Sequence, residues 1–298
     1  MFPANFKYHR VDSFAQAVAA LQDLGPEAKL MAGGQTLIPM MKLRLLRPVY
    51  LVDLGRIADG GGVTINSHGV EIGALATHKS VGGSEAASLF PVIGDCALGI
   101  ADAQVRSMGT IGGSLAEADP CSCWPTLLMA LQAEVKCLGP GGARQQTVRE
   151  LLRDAYSPAL NECELMTSIV IDRRHLEGHG AFVAFKRAAP AYPTASVALQ
   201  LQITGNRVTQ IGLALGCVGL TPLAVDGAFA LLEGRELTAA AIDDVAALAS
   251  ETAEPFDDNK GTSAYKRSLV KGLVRRAFRI TEQRRCGLPT EPTHTYYG

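Results

Sequence analysis

Ala32-Gly33-Gly34-Gln35-Thr36 and Thr110-Ile111-Gly112-Gly113-Ser114 are two similar stretches in the first half of the chain. In each, an apolar run that predicts a strand, at 29–32 and less distinctly at 108–111, ends at a glycine pair, and a small hydroxyl residue and leucine follow. Glycine permits positive φ angles and lets backbone N–H groups converge, and such a nest of amides binds an anion. We therefore predict two loops that form halves of one site, each gripping one phosphoryl group of a diphosphate.

Apolar residues after the first glycine pair recur at helical spacing, at Leu37, Ile38, Met41 and Leu45. A helix that begins there would add its unpaired N–H groups to the anion site. Neither stretch is a Walker loop, because no Gly-Lys-Ser/Thr follows, and neither has the Gly-x-Gly-x-x-Gly pattern, so a Rossmann-type nicotinamide site is disfavoured. Glycine pairs also mark ordinary tight turns in a chain with 31 glycines, and the repeated context favours the binding site.

Length and composition are typical of a globular chain that buries a sizeable core. It has 298 residues, of which 47% are hydrophobic and 19% charged, and about two domains is the usual expectation. The formal net charge of -1, with dispersed basic residues, argues against a nucleic-acid partner. The N-terminal residues lack the features of a signal peptide, and no apolar run reaches the ~18 residues of a membrane span. We expect a cytoplasmic protein without a membrane span.

Seven scattered cysteines, an odd number, indicate reduced thiols rather than a disulfide framework. Only Cys121 and Cys123 are close, and Cys-x-Cys does not match the spacings of zinc or iron–sulfur sites. His175 and His179 resemble a zinc motif in the wrong order, interrupted by Gly178, so an exposed turn is the simpler interpretation. We predict no metal site, and any cluster chemistry then lies on another chain.

Local signals place an amphipathic helix at 11–24, capped by Asp12 or Ser13, before the first strand. The chain changes to shorter β units near residue 58, which indicates a subdomain boundary. Residues 173–180 have the composition of a linker.

Three strands at hairpin spacing follow, at 182–186, 196–203 and 210–217, and two helices come after them, at 238–253 and 262–283. The tail is predicted to be extended and to lie on a partner. The second helix carries a basic set, interpreted as a solvated face or a subunit contact: Lys266, Arg267, Lys271, Arg275 and Arg276.

Nearly the whole chain resembles the medium, FAD-binding subunit of the molybdenum hydroxylases, the group that includes aerobic carbon monoxide dehydrogenase and the flavin domain of xanthine dehydrogenase. Four stretches carry the resemblance: AGGQTLIPMMKLRLLRPVYLVDL at 32–54, IADAQVRSMGTIGGSLAEADPCSCWP at 100–125, IGLALGCVGLTP at 211–222 and TSAYKRSLVKGLVRRAF at 262–278. The two glycine loops at this separation are a specific signature, and the C-terminal stretches exclude most other flavoproteins with this cofactor fold.

The resemblance implies an α+β fold. Its first part is a vanillyl-alcohol-oxidase (PCMH)-type FAD-binding domain at 1–172, with subdomains at about 1–57 and 58–172. A domain at 177–286 with three antiparallel strands and helices follows, and then the tail at 287–298. The implied function is electron transfer from the [2Fe–2S] clusters of a small subunit through FAD to an external acceptor. The implied partners are that small subunit and a large molybdopterin-binding subunit, in a dimer of heterotrimers.

FAD is the implied cofactor, and the implied contacts include both glycine loops. The full set is Leu30, Met31, Ala32, Gly33, Gly34, Gln35, Thr36, Leu37, Ile100, Thr110, Ile111, Gly112, Gly113, Ser114, Asp119, Cys123, Met166, Lys186 and Tyr192. No catalytic side chain is implied. Cys123 departs from the family, which commonly has a carboxylate there. Because a thiol accepts hydrogen bonds far less well, we expect weaker FAD retention or a replacement contact.

Two other functions fit the same residues. A stand-alone flavin oxidase or dehydrogenase of this cofactor fold would carry its own substrate base and often a His or Cys tether to the flavin. A flavin-free scaffold subunit is the second, and the change at Cys123 favours it.

Overall fold

A small parallel sheet opens the chain in the computed structural model, which describes residues 2–296. Ser13 caps the first helix by accepting a hydrogen bond from the Gln16 amide, which decides between the two predicted caps. The strand order is β1-β3-β2, and both strand pairs are parallel. The elements are β1 (Lys7–Arg10), α1 (Phe14–Leu24), β2 (Ala28–Met31), α2 (Leu37–Lys42) and β3 (Tyr50–Asp53).

The second sheet is antiparallel. In chain order, a block of helices lies between the second and the third of its strands. Its order is β4-β5-β10-β6-β7, and Trp124, Leu127 and Ile72 are fully buried in the core beneath it. The elements are β4 (Val63–Asn66), β5 (Gly69–Gly73), α3 (His78–Gly82), α4 (Glu85–Leu89), α5 (Pro91–Gly99), α6 (Ala103–Met108), α7 (Ile111–Glu117), α8 (Cys123–Ala130), β6 (Glu134–Gly139), β7 (Gly142–Thr147), α9 (Val148–Leu151), β8 (Leu152–Asp154), β9 (Ser157–Pro158) and β10 (Leu165–Asp172).

The third sheet, in the order β14-β13-β12-β11-β15, packs against one long helix, on which a second long helix packs in turn. Its elements are β11 (His179–Lys186), β12 (Pro193–Thr204), β13 (Arg207–Gly216), β14 (Leu223–Ala224), α10 (Ala228–Leu232), α11 (Ala239–Thr252), α12 (Ser263–Arg285) and β15 (His294–Tyr296). Val274, Phe278 and Leu199 are in the core between them. Among residues 2–296, none of the helices has both the length and the apolar character needed to cross a membrane.

The predicted strand at 108–111 is wrong. Helix α6 ends at Met108, and α7 begins at Ile111. Asp102 and Thr110 each accept a backbone N–H three residues on, so two caps outweigh the apolar run between them.

The predicted linker at 173–180 lies between the second and third sheets, where it contains a 3₁₀ turn, Arg173–His175, and the start of β11 at His179. The three predicted hairpin strands form, and β14 and β15 extend their sheet to five strands. Lys266 does not belong to a solvated face. It is 3% exposed, pairs with Asp258 at 2.7 Å and donates to the carbonyl of Phe256 at 2.8 Å.

The tail is extended where it forms strand β15 and lies on the chain's own sheet, and its contact with a partner stays a prediction. Strand β15 pairs in parallel with β11, with His294 opposite Ala184. The backbone amide of Ala184 donates to the Thr293 carbonyl at 3.1 Å, which joins the tail to the sheet. Tyr297 and Gly298, the last two residues of the predicted tail, lie outside the described residues.

Candidate functional site

The two glycine stretches meet in space. The first follows the end of β2, and the second spans the junction between α6 and α7. A Cβ atom on Gly33 would lie 2.8 Å from the Cα of Gly109 and closer still to the carbonyl oxygen of Met108. This approach of two backbones requires glycine, because any side chain would push the loops apart.

Open backbone amides line the first loop. Gly34 has a φ of +68°, and its carbonyl accepts the Ile38 amide at 3.0 Å where α2 begins. The side chain of Gln35 donates to the Gly33 carbonyl at 3.2 Å. Within residues 2–296, the amides of Gly33, Gly34, Gln35 and Thr36 have no backbone or side-chain acceptor. Four free donors in one short loop suit an anion.

The second loop differs, because four of its five amides, those of residues 111–114, are already paired. Ile111 donates to the Ala76 carbonyl at 3.0 Å, and Gly112 donates to the Ala74 carbonyl at 2.8 Å. The Gly113 amide donates to the hydroxyl of Thr110 at 3.1 Å. The prediction of a second open amide nest is therefore wrong, although the loop lies beside the first. Its glycines give close packing instead, since a Cβ on Gly112 would lie 2.6 Å from the Ala74 oxygen.

His78 supports the second loop, and sequence reasoning missed it. Its backbone amide donates to the Gly109 carbonyl at 2.9 Å, and its Nδ1 accepts the indole N–H of Trp124 at 2.9 Å. Burial, and then the charge of Arg106, lowers the pKa of His78 from 6.5 to about 4. The imidazole is therefore neutral near pH 7. A lone histidine carries no local signal for this role, because its partners are far along the chain.

Ile100 and Lys186 come together around Gly99. Lys186 is 1% exposed, and its ammonium group donates to the Gly99 carbonyl. Arg106 donates to the Ile100 carbonyl at 2.8 Å. A Cβ on Gly99 would lie 2.8 Å from Cδ2 of His294, whose buried Nε2 has no partner among the described residues. The tail histidine therefore belongs to this cluster, which the sequence did not indicate.

Asp119, Cys123 and Tyr192 share a second cluster. The Asp119 carboxylate accepts the Cys121 amide at 2.8 Å, which forms the predicted turn. Cys123 is 6% exposed, and burial raises the pKa of its thiol to about 11. Partial burial, and then the nearby Asp119 carboxyl, raises the pKa of Tyr192. The Lys260 ammonium lies 6.0 Å from the centre of the Tyr192 ring.

The remaining predicted contacts flank the two loops. Leu30 and Met31 end β2, and Leu37 begins α2, so all three border the first loop. Met166 is in β10, where the next carbonyl, of Thr167, accepts the Ala74 amide at 2.9 Å. Ser114 follows the second glycine pair in α7 and is half-buried.

The arrangement suits an anionic ligand. The first loop supplies backbone donors for the anion, and the clusters around Gly99 and Asp119 supply a buried cation and a half-exposed aromatic ring. These residues therefore fit the groups of a dinucleotide cofactor, whose diphosphate needs backbone donors of the kind that the first loop offers.

Comparison with known proteins matches each half of the chain to a flavoprotein domain family. Residues 4–172 match the family described as the FAD binding domain in molybdopterin dehydrogenase. Residues 180–281 match the CO dehydrogenase flavoprotein C-terminal domain.

Individual relatives match over almost their full lengths. The carbon monoxide dehydrogenase medium chain of Afipia carboxidovorans is 38% identical over 286 residues, which are 95% of this chain and 99% of that one. The glyceraldehyde dehydrogenase medium chain of Sulfolobus acidocaldarius is 34% identical, covering 94% and 99%. A solved structure of carbon monoxide dehydrogenase from Hydrogenophaga pseudoflava has a TM-score of 0.91 at 35% identity, covering 95% and 99%.

Proposed function

The chain belongs to the FAD-binding medium subunits of the molybdenum hydroxylases, and from this we propose that it is the electron-transfer flavoprotein of a three-subunit enzyme. Its partners would be a large molybdopterin-binding subunit and a small subunit with [2Fe–2S] clusters, assembled as a dimer of heterotrimers. The observation that carries the proposal is the open amide loop of Gly33 to Thr36 against the backbone of Gly109.

The FAD diphosphate would take hydrogen bonds from the first loop. Its amides are free and fixed by the adjacent strand β2, so binding costs little reorganisation. The second loop would contribute packing more than hydrogen-bond donors, because most of its amides already donate to Ala74, Ala76 and Thr110. Its remaining donors would include the Thr110 amide and the half-buried hydroxyl of Ser114. We therefore assign unequal roles to the two loops.

The flavin end would lie among Ile100, Met166, Lys186 and Tyr192, with Leu30, Met31 and Leu37 at the other side of the first loop. Lys186 is the strongest of these assignments, because a buried cation stabilises negative charge that reduction adds nearby. Asp119 and Cys123 complete the set. Because Cys123 is buried, we assign it a packing role and expect Asp119 to make the polar contact.

When bound, FAD supplies a group that takes electrons from the partner's [2Fe–2S] clusters and passes them to an external acceptor. The chain's own residues bind and orient that group, and substrate oxidation takes place on the large subunit. We also propose the domain limits 1–57, 58–172 and 177–286, with each boundary in a segment between two sheets. A cytoplasmic location stays a prediction, which fractionation of host cells tests.

Purification of the chain from its native host tests the proposal. We expect two further subunits, together with molybdenum, iron and about one released FAD per chain after denaturation. A lone chain whose flavin is reduced by a substrate would instead support the stand-alone oxidase or dehydrogenase. A complex without flavin would support the scaffold. Either result contradicts the electron-transfer function.

A further inference from the structure

Cys121 and Cys217 face each other across the boundary between the two family domains. Cys121 lies in the turn after Asp119, and Cys217 directly follows strand β13. The Cys217 backbone amide donates to the Pro120 carbonyl at 3.1 Å, and the Cys217 thiol lies 3.6 Å from the Cys121 carbonyl oxygen. Both cysteines are half-buried and have free thiols.

The two thiols are near each other. The side chains of Cys121 and Cys217 hydrogen-bond, so their sulfur atoms lie within hydrogen-bonding distance. Cys217 also has a φ of +66°, a left-handed conformation that is uncommon for a residue with a side chain. With this conformation, the Cys217 thiol points back to the turn and lies against the Cys121 carbonyl oxygen.

A cation lies beside one of the two sulfur atoms. The Lys260 ammonium is 3.6 Å from the Cys121 Sγ and 3.1 Å from the Pro193 carbonyl oxygen. The pKa of Cys121 is lowered, first by a hydrogen bond from Cys217 and then by the charge of Lys260, against the opposing effects of burial and Asp119. A thiolate is the reactive form of cysteine.

The other buried cysteines have the opposite character. Burial raises the pKa of the thiols of Cys96, Cys123 and Cys137, and all three are in the main core of the FAD-binding half. Compared with these three cysteines, Cys121 has a lowered pKa and is partly accessible to solvent.

We propose that Cys121 and Cys217 are a peroxide-sensitive pair that forms a reversible disulfide between the FAD-binding and C-terminal domains. The Cys121 thiolate attacks hydrogen peroxide and breaks its O–O bond. This step gives a sulfenic acid, and the released hydroxide takes a proton to become water. The Cys217 sulfur then attacks the Cys121 sulfur, the S–O bond breaks, and the leaving hydroxide combines with the Cys217 proton. Two thiols and one peroxide give one disulfide and two waters.

The bond would tie together two parts of the candidate site. The turn that carries Asp119 is in the first domain, whereas Tyr192 and Lys260 are in the second. The link would also close a long loop, from 121 to 217, which restricts the unfolded chain and raises the melting temperature of the oxidised protein. The proposal does not depend on FAD or on partner subunits.

Peptide mapping of the full chain tests it. The reduced protein is treated with a small excess of hydrogen peroxide, alkylated and digested without reductant. We expect one linked peptide pair, Cys121 with Cys217, which dithiothreitol separates, and the same result for the control Cys286→Ser, which removes an exposed thiol. Failure of this pair to form, or a bond from Cys121 to another cysteine, overturns the proposal.

A second experiment identifies the thiol that attacks peroxide and does not require the disulfide to form. In Cys217→Ala, dimedone should trap a sulfenic acid at Cys121, although more slowly than the wild-type pair reacts. Lys260→Met should slow iodoacetamide alkylation of Cys121 at pH 7 several-fold and raise its pH midpoint, and Lys260→Arg should restore both. Circular dichroism establishes that each variant is folded. An unchanged alkylation profile in Lys260→Met, or dimedone only at other cysteines, contradicts the assignment.

Discussion

At Gly33 the backbone of the first loop comes into direct contact with the backbone that leads into the second. We predict that Gly33→Ala destabilises the fold by about 1–3 kcal/mol, as overpacking does, because its Cβ would meet Met108 and Gly109. Loss of a comparable free energy from FAD binding would weaken retention by about tenfold or more. Released flavin per chain and urea unfolding measure the two effects.

Gly62→Ala is the matched control. A Cβ at Gly62 meets nothing within 4 Å, and its φ of -74° is open to alanine. This variant should keep wild-type stability and flavin content. Equal flavin content in Gly33→Ala and Gly62→Ala would contradict the role of the loop contact.

His78 makes stability depend on pH. Its folded pKa of about 4 is depressed below 6.5, so the unfolded chain takes up a proton that the folded chain refuses. The full contribution of His78 to stability is present above pH 6.5 and is lost as pH falls toward 4. The free energy of unfolding lost in this way by pH 4 is about 3 kcal/mol. Urea unfolding between pH 7 and 4.5 measures this loss through Trp124, which is the chain's single tryptophan and the partner of His78.

His78→Asn separates this residue from the other titrating groups. Asparagine keeps an oxygen acceptor near the Trp124 indole but does not titrate. We expect its stability to fall less steeply than that of the wild type below pH 6.5. Parallel pH profiles for the two proteins would exclude His78 as the source.

Helix α12 contains a glycine at a position where alanine would fit. Its 23 residues include Gly272, which is exposed, and a Cβ at that position would meet nothing within 4 Å. Because glycine costs about 0.5–1 kcal/mol relative to alanine in a helix, Gly272→Ala should stabilise the protein by about that amount. Thermal unfolding measures the gain.

The same substitution in strand β13 should have the opposite sign. A Cβ on Gly212 would lie 3.0 Å from the carbonyl carbon of Ala130 and closer to its oxygen. We therefore expect Gly212→Ala to lower the melting temperature. A loss in both variants would mean that α12 does not tolerate a methyl group at Gly272.

At the scale of the whole molecule, a buried ion pair joins the FAD-binding half to the long C-terminal helix α12. Arg284 of α12 donates to both carboxylate oxygens of Asp95 in α5 at 2.7 Å, and Asp95 also accepts the Phe182 amide at 3.1 Å. The side chains are 13% and 10% exposed. Arg284→Met would leave a buried carboxylate without its partner, and we expect a loss of about 3–5 kcal/mol in urea unfolding.

Arg275→Met is the comparison for this pair. Arg275 and Asp243 are 2.6 Å apart, but their side chains are 50% and 57% exposed, so the loss should stay below about 1 kcal/mol. Similar losses in the two variants would show that burial of the Asp95 pair contributes nothing.

Local patterns predicted much of this protein. The glycine loops, the helix caps and the periodic helices depend on residues close together in the chain, and they indicated an anion site and several of the helices. The family resemblance of longer stretches implied the α+β fold and FAD, which the family match over 4–172 confirms. Where two local signals competed, as at Thr110, the apolar run predicted a strand and the cap formed a helix.

Only the folded chain decided which polar groups are available. The amides of Ile111 and Gly112 are paired because Ala76 and Ala74 lie opposite them, and nothing near position 111 in the sequence records that. Burial of Lys266 and the contact of Lys260 with Cys121 likewise join residues that are distant in sequence. Backbone conformation is set mainly by neighbouring residues, whereas burial and hydrogen-bond partners are set by packing between distant segments.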